Sequence, residues 1–131
     1  MNRKRGDEGA SAVEMAVVLP LLLLIVFAVI QFGYMFFAWN SMATAAGQAA
    51  RYMSIHYEDS TAETEARALA QDVLPDGLGV DDSDITFSYS PGTSCGEDKK
   101  VTVTIVHTSP MDLLPFIDNS ITRESVAECV A

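Results

Sequence analysis

The sequence predicts an α+β protein: a long N-terminal transmembrane helix, then a small domain with one helix and a three-stranded antiparallel sheet. Three observations carry this. No charged side chain occurs from Met15 to Ala50, and Leu19 to Ile30 is almost purely aliphatic, as a segment that belongs in a bilayer would be. A helical period of apolar residues follows from Ala62 to Leu74. Beyond Gly79 the period changes to two, in Ile85-Phe87-Tyr89 and again in Val101-Val103-Ile105, as half-buried strands require.

The first helix is expected over residues 10–53, preceded by a polar leader over residues 1–9 and followed by a domain over residues 54–131. It is aliphatic from Leu19 to Ile30, then aromatic, then alanine-rich. A bilayer core needs about 20 apolar residues at 1.5 Å each, and a helix of this length runs to roughly 65 Å, so its last turns project beyond lipid. Gln31, Tyr34 and Trp39 fit the outer interfacial zone, where side chains with a polar handle settle. Pro20 lacks an N–H and crowds the carbonyl of Ala16, which predicts a bend or a loosened turn. Ala43, Ala45, Ala46, Gly47, Ala49 and Ala50 permit close helix approach, and alanines are also simply good helix formers.

The second helix opens with Ser60-Thr61-Ala62-Glu63, which has the form of a capping box. Ala62, Ala66, Leu69, Ala70, Val73 and Leu74 share one face, and Pro75-Asp76-Gly77 ends the element. A third strand is expected from Ile121 to Val130. In a meander, the connection Ser90–Lys99 and the end of that strand lie at the same edge of the sheet. Cys95 and Cys129 are therefore expected to form a disulfide closing a loop of about 35 residues, worth about 3–4 kcal/mol in the chain-entropy model. Their spacing fits no metal-binding pattern.

Charge is distributed unevenly. The leader carries Arg3, Lys4 and Arg5 against Asp7 and Glu8, whereas the chain from Tyr52 onward holds four basic and fifteen acidic residues, a net of −11. Basic residues before the span favour a cytoplasmic N-terminus and an extracytoplasmic C-terminal domain. So acidic a domain repels phosphate backbones, which argues against nucleic acid as a partner.

One carboxylate, Glu14, stands at the mouth of the uncharged run. An ionised group in a membrane helix costs roughly 2.5–3.5 kcal/mol on insertion scales and calls for a partner or a role. With the small residues around Gly9, it has the form of a class III signal, cut by a prepilin peptidase between Gly9 and Ala10. Glu14 would then be the fifth residue of the mature chain.

Gly9-Ala10-Ser11-Ala12-Val13-Glu14-Met15-Ala16, Val18-Leu19-Pro20-Leu21-Leu22, Gln31-Phe32-Gly33 and Ala49-Ala50-Arg51-Tyr52 together resemble the TadE-like minor pseudopilins of tight-adherence (Tad/Flp) pilus systems. The resemblance is looser over Val101–Ile105, Pro110 and Leu113-Leu114-Pro115. It implies a pilin-like membrane protein that takes part in assembly or initiation of an adhesive pilus. The implied partners are a prepilin peptidase, the major Flp pilin, other minor pseudopilins, the pilus assembly platform and membrane lipid. It also implies that Glu14 is the assembly contact, meeting the N-terminal amine of a neighbouring subunit. Major Flp pilins are little more than the helix, so a domain after Arg51 points to a minor subunit. Met15 departs from the aromatic residue that major pilins often carry after the glutamate.

Two alternatives share most of these features: a single-span anchor displaying an acidic domain, and a secreted protein whose signal peptide is cut after Ala43-Thr44-Ala45. The apolar run to Trp39 exceeds the 7–15 residues of an ordinary signal core. No catalytic residues, cofactor or metal are expected. His56 and His107 are far apart, no phosphate loop or nucleophile elbow occurs, and Asp81, Asp82 and Asp84 lack the spacing of a defined calcium loop and read as a solvated turn.

Overall fold

The computed structural model describes residues 4–109, 118 and 120–130. A single helix, α1 (Lys4–His56), runs 53 residues, about 80 Å at 1.5 Å per residue. It passes Pro20 without leaving the helical class, and it extends the expected element at both ends. A lone Gly inside a helix costs about 1 kcal/mol, too little for Gly9 to break so long a run. From residue 9 to 30 no side chain is buried, and the stretch is long and apolar enough to cross a membrane.

The polypeptide leaves α1 through a tight turn in which the Asp59 N–H donates to the His56 carbonyl and the Ala62 N–H to that of Asp59. It then enters α2 (Ala62–Val73). Two short 3-10 turns, Asp76–Leu78 and Asp82–Asp84, lead into the sheet, with Gly79 between them in the left-handed region at φ 65°. Strands β1 (Ile85–Ser90), β2 (Lys100–Thr108) and β3 (Ser120–Glu128) form the expected antiparallel meander in the order β1-β2-β3. The register sets Phe87 opposite Val103 and Val103 opposite Ser125.

Period two has the expected consequence. Ile85, Val101, Val103, Ile105 and Ile121 point inward and are buried, while Thr86, Ser88, Thr122 and Val126 are exposed on the other face. The inner face packs on α1 beneath β2 and β3, with α2 lying along α1.

The second half of α1 is the domain core. Ala38, Met42, Ala45, Ala46, Ala49, Ala50 and Met53 form a continuous buried stripe, met by Ala62, Ala66 and Ala70 of α2. The alanines whose meaning the sequence leaves open thus serve intramolecular packing. Small side chains bring two helices and a sheet together at short range. Gly47 belongs to the same logic: a Cβ there would lie 3.9 Å from Ser125 Oγ.

The expected capping box is not formed. Thr61, not Ser60, is the N-cap, and it makes no side-chain cap bond. Glu63 instead accepts from the Tyr89 hydroxyl at 2.6 Å, and the Thr61 hydroxyl lies 3.3 Å from carboxylate oxygens of Asp59 and Glu65. The tight turn from α1 has already fixed the entry of the chain, and β1 competes for the glutamate. A capping box occurs at Asp81 and Asp84, where the Asp84 carboxylate accepts from the Asp81 N–H at 2.9 Å. Of the looser resemblance, Pro110 and Leu113-Leu114-Pro115 lie outside the described residues.

Candidate functional site

Gly9, Ala10 and Glu14 all lie on the exposed first half of α1. Four residues, slightly more than one turn, separate Ala10 from Glu14, which puts both on one face about 6 Å apart along the axis. A Cβ built on Gly9 would meet nothing within 4 Å, so the junction is open to an approaching protein. Glu14 shares a shallow, mostly apolar concavity with Ser11, Ala12, Met15 and Val18. A carboxylate so placed has no cation near it among the described residues.

Cys95 and Cys129 lie together at the opposite end of the molecule, joined with Cα atoms 5.9 Å apart, within the usual disulfide span. The Cys129 N–H donates to the Lys99 carbonyl at 2.8 Å, and the Val130 N–H to the Ser54 carbonyl at 3.0 Å. These bonds bring the end of the chain's third strand against both the β1–β2 connection and the end of α1.

The histidines do not converge. His56 is exposed and stacks on Tyr52 with ring centroids 4.2 Å apart. His107 is buried toward the other end of β2, where burial pushes its pKa below the ordinary value against a weaker opposing influence of Asp84. Among the described residues, no group of three His, Cys, Asp or Glu side chains is arranged to hold a metal ion.

Sequence reasoning missed several contacts. Arg67, the one cation of α2, donates to the carbonyls of Asp82 and Ile85, the latter at 2.7 Å, and its guanidinium lies 5.3 Å from the Phe87 ring centroid. The Gln71 amide donates to the Val80 carbonyl at 3.0 Å. Tyr52 donates to Glu65, and burial together with the Glu63 bond raises the pKa of Tyr89 far above the ordinary phenol. The only sequence signal was a lone basic residue on an acidic helix.

Of the three residues expected at the interface, Gln31 is buried, Tyr34 half-buried and Trp39 exposed. Gln31 is 1% exposed, and neither its amide atoms nor the Tyr34 hydroxyl have partners among the described residues.

The arrangement is therefore a bare apolar helix with one carboxylate near its start, rooted by its second half in a small disulfide-linked domain. Residues 9–51 match the family model for TadE-like protein. The TadE-like segment begins at Gly9 and ends at the last turns of α1, so it takes in both the exposed half and the alanine core. The match covers about a third of the chain and associates that segment with Tad pili. No curated protein matches the chain, and no solved structure does. Beyond the TadE-like segment, α2 and the sheet are described by the structure alone.

Proposed function

We propose that the protein is a minor pseudopilin, cut by a prepilin peptidase between Gly9 and Ala10 and taking part in assembly or initiation of a Tad-type adhesive pilus. The observation that carries this reading is the TadE-like match beginning at Gly9 on a helix with no buried side chain from Gly9 to Ile30. Cleavage frees a positively charged amine at Ala10. In the assembled filament Glu14 meets the amine of a neighbouring subunit, so that two charges leave lipid as a pair; each alone is costly there. The exposed face of α1 packs against the major pilin and other minor pseudopilins. The domain after Arg51, on the extracytoplasmic side, suits a minor subunit rather than the bulk filament protein.

The test is the N-terminus of the mature protein extracted from membranes of its native host. A start at Ala10 is expected. A start at Met1 would leave a simple anchor, and one near Ala46 a secreted domain; either would overturn the proposal. A second experiment addresses Glu14 itself. Glu14→Val removes roughly 2.5–3.5 kcal/mol of insertion penalty, so the variant still enters the membrane. Its recovery in sheared pili is expected to fall several-fold, and recovery equal to wild type would remove Glu14 from assembly.

A further inference from the structure

Residue 31 divides α1 into two regimes. From Gly9 to Ile30 no side chain is buried. Above residue 31 one side is buried, at Ala38 and Met42, while the other side continues apolar and exposed. Phe32, Phe36 and Trp39 follow one another at i, i+4 and i+7 and are 57%, 65% and 43% exposed. The polarity of that side changes directly afterward. Asn40, Ser41 and Thr44 bond back to the carbonyls of Phe36, Phe37 and Asn40 at 3.1, 3.0 and 3.0 Å.

The position of this change along the axis can be compared with a bilayer. With Glu14 at one edge of the hydrocarbon, about 20 residues carry the helix to Tyr34. A headgroup layer of about 5–7 Å then takes it through roughly four or five more residues, to Trp39. Trp39 is the only tryptophan of the chain and stands on the exposed side directly before Asn40, Ser41 and Thr44.

A cation sits at the same level. The guanidinium of Arg123, a half-buried residue reaching from β3, stands 4.1 Å from the Trp39 ring centroid. From Tyr52 onward the chain carries fifteen acidic residues, yet among the described residues none of them pairs with Arg123. An arginine left unpaired in so acidic a domain, held over an aromatic ring at headgroup depth, is placed for an anion outside the protein. Planar guanidinium donors match phosphate oxygens, and the ring holds the group in the required orientation.

We infer that Arg123 and Trp39 form a binding site for the phosphodiester of an outer-leaflet phospholipid, with Phe32 and Phe36 seated in the acyl region beneath it. The site holds the domain against the membrane surface on one side of α1. The inference rests on the membrane reading of α1, and the test separates the two.

The full chain is reconstituted into vesicles of phosphatidylcholine and phosphatidylglycerol carrying a spin label either near the headgroup or at the chain end. Flotation on a density gradient reports insertion, and Trp39 fluorescence reports depth. The headgroup-proximal label is expected to quench Trp39 at least about twofold more than the chain-end label, with little quenching by aqueous iodide. In Arg123→Gln that preference is expected to fall by about half or more, and in Arg123→Lys to be largely kept. A chain that does not float would overturn both readings. A floating chain whose Trp39 is open to iodide, or shielded from iodide and both lipid labels by a second copy, would overturn this one alone. So would an Arg123→Gln variant indistinguishable from wild type.

Discussion

His107 shows how a single residue's role depends on its depth. Alternation places it on the same strand face as Val101, Val103 and Ile105, and the structure buries it there with Nε2 lacking a partner among the described residues. Because burial lowers its pKa, the folded state holds the ring neutral. The unfolded chain, with an ordinary value near about 6.5, binds a proton more readily. The resulting stability is fully present above that value and is lost as pH falls through it toward the lower folded value, by up to about 1.4 kcal/mol per unit. Urea midpoints of the full chain in detergent, compared between about pH 7.5 and 5.5, should fall accordingly. In His107→Leu the slope over that window should flatten, and an unchanged slope would assign it to other groups. Arg67 and Gln31 are the residues least legible from sequence. Nothing in the local pattern indicates that one guanidinium reaches two carbonyls and a ring, or that a glutamine beside an apolar run is buried.

At the scale of elements, hydrophobic period was reliable and local capping chemistry was not. The strands lie where alternation places them because one face of a small sheet must be buried and the other wetted. The capping box at Ser60–Glu63 failed because the turn from α1 and the Tyr89 hydroxyl claimed its groups. The alanine-rich part of α1 was ambiguous, since small residues serve helix propensity, lipid-side packing and core packing alike. The packing of Gly47 gives a direct test. A Cβ there would stand 3.9 Å from Ser125 Oγ, an ordinary van der Waals distance, and φ is not constrained to glycine's region. Gly47→Ala should therefore raise stability by about 0.5–1 kcal/mol, read as a higher thermal midpoint, while Gly47→Leu should lower it by at least about 1–3 kcal/mol. A destabilised alanine variant would mean that α1 and β3 are closer than described.

For the whole molecule, the pairing of Cys95 with Cys129 links the three strands to one another and, through the Val130 to Ser54 bond, to the end of α1. With few large side chains in the core, a cross-link over a sequence separation of 34 contributes about 3–4 kcal/mol in the chain-entropy model. Replacing both cysteines by serine should lower the denaturation midpoint by that order, and mass after alkylation with and without reduction should differ for the wild type alone. Equal masses would remove the cross-link. What the sequence by itself determined was the class and order of elements and the membrane-length helix with Glu14 near its start. These are properties of local composition and period, and any fold of this chain must respect them. Only the tertiary structure decided that the membrane-length helix is also the core of the domain, that its alanines face α2 and the sheet, and that Arg123 meets Trp39. Those relations join residues distant in sequence, and burial of a shared face, rather than any local propensity, selects them.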